Sequence, residues 1–386
     1  MKAGKATKKI CVWSGKRGGF GALSPTMRSI QDHEDLDLAL VVTDQHLYDR
    51  FGRTVQEVEG QFPVAAAIDM EQSGDSNEER ARAVGRCLQR SVDVLTDLAP
   101  DILLVIGDRG EVFAACFAAH NMRIAIAHVQ GGDLSGSLDE PVRHAITKLS
   151  HIHFPSTLRS AERIRRLGEE AWRIHLVGDT HIDQILSGSI SSELDLRQRY
   201  GLTAGEPFIV LLQHSDSTIP QSSRAQIDAT LEGIAGIGLR TMLIYPCSDQ
   251  GYEGIIAGLE AARDRHGVSV HQNIPAPDFI GLQKMAAVLV GNSSAGLIEA
   301  PYFELGAVNV GDRQNGRERA ANVIDVPYEA DAVAGAIHRV LNDKEFHITM
   351  AATPPPFGDG TAYRRITETL AEIIVDERLL NKRMSY

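Results

Sequence analysis

Along most of the chain, short runs of Ile, Leu and Val alternate with longer stretches whose apolar residues recur every three or four positions. The first pattern suits strands buried on both faces of a parallel sheet, the second amphipathic helices. Strands are predicted over 9–13, 38–43, 62–68, 102–106, 124–129, 152–155 and 173–177. A second series is predicted over 208–212, 241–245, 268–271, 287–290, 307–310 and 323–326. Helices fall between them, among them 54–59, 76–99, 111–120 and 160–167. The first strand runs into Ser14-Gly-Lys-Arg-Gly-Gly-Phe-Gly21, read as a glycine loop, then a helix over about 24–31 with Pro25 in its first turn. Periodicity weakens from 185 to 206, a stretch rich in Ser and Gly, which places a domain junction there. The expected architecture is α/β: two doubly wound, Rossmann-like domains facing a cleft. Their bounds are 1–190 and 191–365, and 366–386 forms a C-terminal tail. A last helix over 363–380 crosses back to the first domain.

Composition narrows the function classes. With 386 residues the chain exceeds what one core usually serves. A hydrophobic share of 43% with 23% charged residues suits a soluble enzyme, and a formal net charge of -12 argues against a nucleic-acid surface. Arg159, Arg163, Arg165 and Arg166 share a predicted helix with Glu162 and read as a solvated face. Cys11, Cys87, Cys116 and Cys247 are far apart, without metal-ligand spacing, and read as reduced core residues. The basic start, MKAGKATKK, precedes only a short apolar run, so neither a signal peptide nor a membrane span is expected, and the cytoplasm is the expected compartment.

Open parallel sheets bind ligands at the carboxyl ends of their strands. Asp108, Arg109, His128, Gln130, Asp133, Asp139 and Glu140 all fall at such ends around 102–144, and an acid cluster in one crevice suits proton chemistry. Helix caps and turns are the competing account for any one of them. The 14–21 loop lacks the dinucleotide fingerprint and is no P-loop, since Lys16 precedes the paired glycines, which leaves a generic anion-cradling turn. A sharper anion signal is Leu-Val-Gly-Asn-Ser-Ser-Ala-Gly-Leu-Ile-Glu at 289–299. A strand delivers Asn292, Ser293 and Ser294 to a helix start near Gly296, with Glu299 placed for a ribose hydroxyl pair. Arg313 and Arg317 follow the next strand with forked donors that suit phosphate oxygens. His214 ends the first strand of the second half at the cleft, and His46 is similarly placed in the first. Two anion loops opposite an acid cluster favour a nucleotide diphosphate held by the C-terminal domain. Neither a metal nor a cofactor is expected.

Five motifs carry a resemblance over about residues 8–371: Gly-Asp-Arg-x-Glu at 107–111, Gly-Gly-Asp-x-Ser-Gly-Ser-x-Asp-Glu at 131–140, Arg-His-Ala-Ile-Thr-Lys-Leu at 143–149, Gly-Asn-Ser-Ser-Ala-Gly-x-Ile-Glu at 291–299 and Gly-Asp-Arg-Gln-x-Gly-Arg at 311–317. Together they resemble the hydrolysing UDP-N-acetylglucosamine 2-epimerases of bacterial sialic-acid and legionaminic-acid pathways and the epimerase half of the animal bifunctional enzyme. The resemblance implies a glycosyltransferase-B-like fold, a UDP-sugar in the cleft, a homodimer or homotetramer, and conversion of UDP-N-acetylglucosamine to N-acetylmannosamine and UDP through a glycal. Carried onto matching positions, it implies Asp108 and Asp139 as acid/base residues and His214 beside the leaving phosphate. Arg17 and Arg313 would hold the diphosphate, Ser293 and Ser294 the β-phosphate, and Glu299 the ribose. The chain departs from the family at Gly19, where relatives often carry an acid, and at Gln130, where several carry Glu. Glutamine takes no proton, so that role would pass to Asp133, Glu140 or Asp139. The departures also admit a UDP- or GDP-linked 2,4-diacetamido-trideoxyhexose as substrate. A glycosyltransferase, a non-hydrolysing epimerase and a non-catalytic nucleotide-sugar sensor are the competing classes.

Overall fold

The computed structural model describes residues 7–186 and 190–386. The basic 1–6 and part of the expected junction, 187–189, lie outside the described residues. The first sheet is built from β1 (Lys8–Ser14), β2 (Leu36–Thr43), β3 (Val64–Ile68), β4 (Ile102–Ile106), β5 (Ala125–Val129) and β6 (Ile152–Phe154), in the order β3-β2-β1-β4-β5-β6. The second contains β7 (Phe208–Leu212), β8 (Arg240–Ile244), β9 (Val268–His271), β10 (Val288–Gly291), β11 (Ala307–Val310) and β12 (Val323–Val326), in the order β12-β11-β10-β7-β8-β9. Every pairing is parallel, and counted from each domain's first strand the two orders are the same.

The continuous apolar runs have a direct cause. Ile10 and Val12 enter one core cluster while Cys11 and Trp13 enter another on the opposite face, so successive residues of β1 are all buried. Each such aliphatic side chain contributes about 1.5–3 kcal/mol on burial. Strand order reverses between β1 and β4 and between β7 and β10, which opens one crevice per domain at the strands' carboxyl ends. At β10 the crevice depends on a glycine. Gly291 has φ +125, and a Cβ there would sit 2.2 Å from the Leu212 carbonyl oxygen.

The structure differs from the sequence reading at three places. The glycine run after β1 is not a loop: the helix Arg17–Gln31 begins at once, with Pro25 inside it. A Cβ on Gly21 would meet Gln184 Oε1 at 2.9 Å and the Ala276 Cβ at 3.3 Å, so this glycine serves close packing within a helix. Residues 173–177 form no strand; only Ile174 bridges to His153, because the Arg173 guanidinium is drawn to the carbonyls of His151, Arg378 and Leu379. The last helix is split into Ala362–Glu372 and Glu377–Leu380, the second capped by Asp376 onto the Leu379 N–H at 2.9 Å.

That C-terminal segment does cross to the first domain. Ala362, Ile366, Leu370 and Leu379 join its core, and Lys8 Nζ donates to the Leu370 carbonyl at 2.7 Å. The crossing starts at Ala362, where the Asp183 carboxylate accepts from the N–H groups of Ala362 and Tyr363 at 2.8 and 2.7 Å. Leu196, on the helix Glu193–Tyr200, packs into the second domain's core. Among the described residues, no helix is long and apolar enough to cross a membrane.

Candidate functional site

A cavity lies between the carboxyl ends of the two sheets. Lys16, Arg17 and Arg143 from the first domain and Arg313 and Arg317 from the second line it against the acids Asp108 and Glu299. In a chain of net charge -12 this local cationic excess marks a place for an anion. Ser135, Ser137, Ser293 and Ser294 add hydroxyls, and Leu212, Ala276, Phe279 and Ile280 form an apolar wall. Cations, hydroxyls and an apolar wall suit a phosphorylated ligand that carries a planar base.

The expected acids are not all in this cavity. Asp108, just beyond β4, faces it and accepts from the Arg143 guanidinium. Burial opposes its ionisation, yet Arg143, Lys16, Arg317 and Arg313 outweigh that and hold it well below the usual carboxylate range. Asp139, the first residue of the helix Asp139–Leu149, lines a neighbouring cavity with Arg109, Asp249 and Arg313. Burial and the charges of Asp108 and Asp249 push it above the usual range. Asp133 is turned away from the ligand cavity: its carboxylate accepts from Ser160 Oγ at 2.6 Å and Arg317 Nη2 at 3.1 Å, which ties the domains together. Glu140 accepts from the Ser135 N–H and braces its own loop.

From the second domain, Ser293 and Ser294 line the cavity between β10 and a helix of one turn, Ala295–Ile298. So short a helix adds little dipole, and anion affinity there falls to hydroxyls and turn N–H groups. Asn292 is behind them: its Oδ1 accepts the His214 N–H at 2.7 Å and its Nδ2 donates to the His214 carbonyl at 2.9 Å, joining the loops after β7 and β10. Gly296 lies against the Ala307 Cβ, away from the lining. His214 Nδ1 accepts the Cys247 N–H at 3.1 Å, which places the ring proton on Nε2. Burial and then Arg313 keep that imidazole neutral, as a donor. Glu299 accepts from Gln283 Nε2 at 2.7 Å, and burial raises its pKa. Arg313 donates to Asp249 Oδ2 at 2.9 Å and to the Asn292 carbonyl at 3.3 Å.

Three further expected residues have mixed positions. Arg17 lines the cavity but also donates to the carbonyls of Gln272 and Tyr245 at 2.5 and 2.8 Å, clasping the second domain. Arg109 lies outside the ligand cavity, bonded to Glu111 at 3.0 Å, Ser248 at 2.6 Å and Asp249. His46 is in the core between Ser14 Oγ at 2.9 Å and Thr54 Oγ1 at 2.8 Å, and burial and then Arg17 lower its pKa to about 4.

Gln130 is on the cavity wall, and behind it lies a pair that the sequence reading missed. Its amide donates to both oxygens of the buried Asp179 at 3.0 Å. Asp179 also accepts from His181 Nδ1 at 2.8 Å, and His181 lines the cavity. Burial disfavours the imidazolium, but Asp179 outweighs it and raises the His181 pKa. Asp179 follows Gly178 past a segment read as a strand, so the strand-end rule already pointed there. His214, Cys247 and Asp249 place ligand atoms within 4.8 Å of one another, the metal-like group found among the described residues. Arg109 and Arg313 are paired to that Asp249, and burial pushes the Cys247 thiol up to about 12. A cation there would meet two guanidiniums and a protonated thiol, which fits a metal poorly.

Comparison with known proteins adds family context. The UDP-N-acetylglucosamine 2-epimerase family profile matches residues 28–371. A UDP-N,N'-diacetylbacillosamine 2-epimerase (hydrolyzing) of Legionella pneumophila is 33% identical over 380 residues, 98% of this chain and 100% of that protein. A UDP-N-acetylglucosamine 2-epimerase of Neisseria meningitidis serogroup B is 30% identical over 372 residues, 95% of each. Among solved structures, the Neisseria meningitidis UDP-GlcNAc 2-epimerase bound to UDP-GlcNAc superposes with a TM-score of 0.80 at 20% identity, covering 95% of this chain and 100% of that one.

Proposed function

This chain belongs to the UDP-N-acetylglucosamine 2-epimerase family, and on that footing we propose that it is a hydrolysing 2-epimerase of a UDP-linked 2-acetamido sugar, UDP-N-acetylglucosamine in the first instance. One observation carries the reading: across a single cavity, the serines and arginines of the second domain oppose the ionised Asp108 of the first. Ser293, Ser294, Arg313 and Lys16 take the diphosphate, Phe279 and Ile280 face the base, and Glu299 accepts from the ribose. The reaction then needs a proton removed at C2 while the C1–O bond breaks and its electron pair leaves with UDP. The His214 Nε2–H bonds the departing phosphate oxygen, and Asp108 stands against the oxocarbenium-like charge at C1. Water oxygen then bonds C1 of the glycal, hydrogen-bonded to Asp108, and gives its proton to the phosphate of the departed UDP. Asp139, its pKa raised to about 7, lies where its cavity meets the ligand cavity at Ser137 and Arg313 and returns a proton to C2 on the other face, which yields the free 2-epimer and UDP. The proposal carries with it a homodimer or homotetramer working in the cytoplasm.

The Legionella relative favours a second substrate, UDP-N,N'-diacetylbacillosamine. The test is to incubate the protein with each nucleotide sugar, without acceptor, and to separate the products. Free 2-epimer plus UDP from either one supports the proposal and names the substrate. A nucleotide-linked epimer, or no turnover of either sugar, contradicts it.

A further inference from the structure

We infer that His181, oriented by Asp179, is the base that removes the C2 proton at the position where Gln130 cannot. The inference rests on the 2-epimerase reading above and deepens it. Removal and return of a proton on opposite faces of C2 require two separate groups. On the cavity wall Asp108 is a poor base, because four cations hold its carboxylate in the ionised form. Gln130 has no basic atom, and its amide is committed to Asp179.

The geometry around His181 is that of an activated imidazole. Asp179 is buried, and its carboxylate accepts from Ser156 Oγ at 3.0 Å, the Gln130 amide at 3.0 Å, the His181 N–H at 3.0 Å and His181 Nδ1 at 2.8 Å. Gln130 Nε2 and His181 Nδ1 lie 3.0 Å apart because both donate to that carboxylate. With its proton on Nδ1, the ring leaves the Nε2 lone pair free, and the side chain, 17% exposed, lines the ligand cavity. A base whose second nitrogen is locked by a buried carboxylate is the nucleophile-and-base logic of hydrolases applied to a carbon acid. The backbone also favours this placement: Gln130 has φ +62, a conformation uncommon outside glycine, and turns its amide onto Asp179. The charged groups facing the ring are Asp179, Glu299 and Lys16. In the proposed step Nε2 takes the C2 proton, the C2–H pair becomes the C1–C2 double bond, and the C1–O pair leaves with UDP.

The experiment is the pH profile of kcat/KM for wild type and His181→Gln, with UDP affinity measured by calorimetry and turnover of the triple variant Gln130→Glu, Asp179→Asn, His181→Gln, in which the change at 179 removes the buried carboxylate that would otherwise face the new one. The expected result is that kcat of His181→Gln falls by about 100-fold or more, UDP affinity stays within about twofold, and the acidic limb that protonation of the base imposes disappears. If residual activity is too low for a profile, the triple variant decides. A carboxylate at 130 is then expected to recover about 10-fold or more, and no recovery overturns the inference. Retained kcat, or an unchanged acidic limb, also overturns it and leaves His181 as a wall of the cavity. A wild type that turns over normally in those cases keeps the epimerase reading intact. An inert wild type overturns that reading and this inference together.

Discussion

Asp108 and Asp139, set among the same cluster of charges, are driven in opposite directions. Asp108 is pulled below the usual range by Arg143 and its cationic neighbours, and Asp139 is pushed above it by burial beside Asp108 and Asp249. Two carboxylates with separated pKa values are how a site keeps an ionised group and a proton donor available at one pH.

For Asp108 the consequence is specific. Asp108→Asn keeps the shape but removes the negative charge proposed to face C1, so kcat is expected to fall by about 100-fold or more while UDP affinity is nearly unchanged. Steady-state kinetics with calorimetry on UDP checks this. A loss confined to a few-fold would make Asp108 a structural partner of Arg143.

Ser294 tests the phosphate site. Ser294→Ala removes one hydroxyl from the cavity wall, and about 1 kcal/mol of lost hydrogen bonding should raise the Kd for UDP about fivefold. Titration calorimetry reads it directly, and an unchanged Kd would place the diphosphate elsewhere.

Much of this arrangement is legible in the chain. Runs such as Ile102–Ile106 are buried on both faces and cannot hide their period, and Gly291 to Ser294 mark the turn after β10 whose two serines line the cavity. What was not legible depends on side chains from distant elements. Nothing local to Asp133 shows that Ser160 and Arg317 will claim it, and nothing near Gln130 shows Asp179 behind it. The glycines at 18–21 signal a turn in isolation, whereas the helix they form is dictated by what packs on Gly21.

Asp183 fastens the returning C-terminal helix. Its carboxylate accepts from two N–H groups at the start of Ala362–Glu372, so Asp183→Ala is expected to cost about 2 kcal/mol. Urea unfolding measures the loss, and a change below about 0.5 kcal/mol would contradict the role.

His46 gives stability a pH dependence. Burial holds it neutral in the folded chain, with a pKa of about 4 against 6.5 for the free side chain. The unfolded chain therefore binds the extra proton first: stability is complete above pH 6.5 and declines by about 1.4 kcal/mol per unit toward pH 4 on this account. His46→Gln should flatten that decline by the same amount in urea midpoints taken between pH 7.5 and 4.5. An unaltered slope would mean that His46 titrates normally.

The His214, Cys247 and Asp249 cluster leads to a prediction about metals. Because Asp249 is already paired with Arg109 and Arg313, prolonged dialysis against a chelator should leave turnover unchanged. Activity lost on chelation and restored by one added metal would refute the poor fit.

The decisive measurement is a crystal structure of the protein with UDP and the free 2-acetamido sugar. The diphosphate should lie on Ser293, Ser294 and Arg313, with the hexose between Asp108 and Gln130. Nucleotide bound outside this cavity, or a hexose turned away from Asp108, would contradict it.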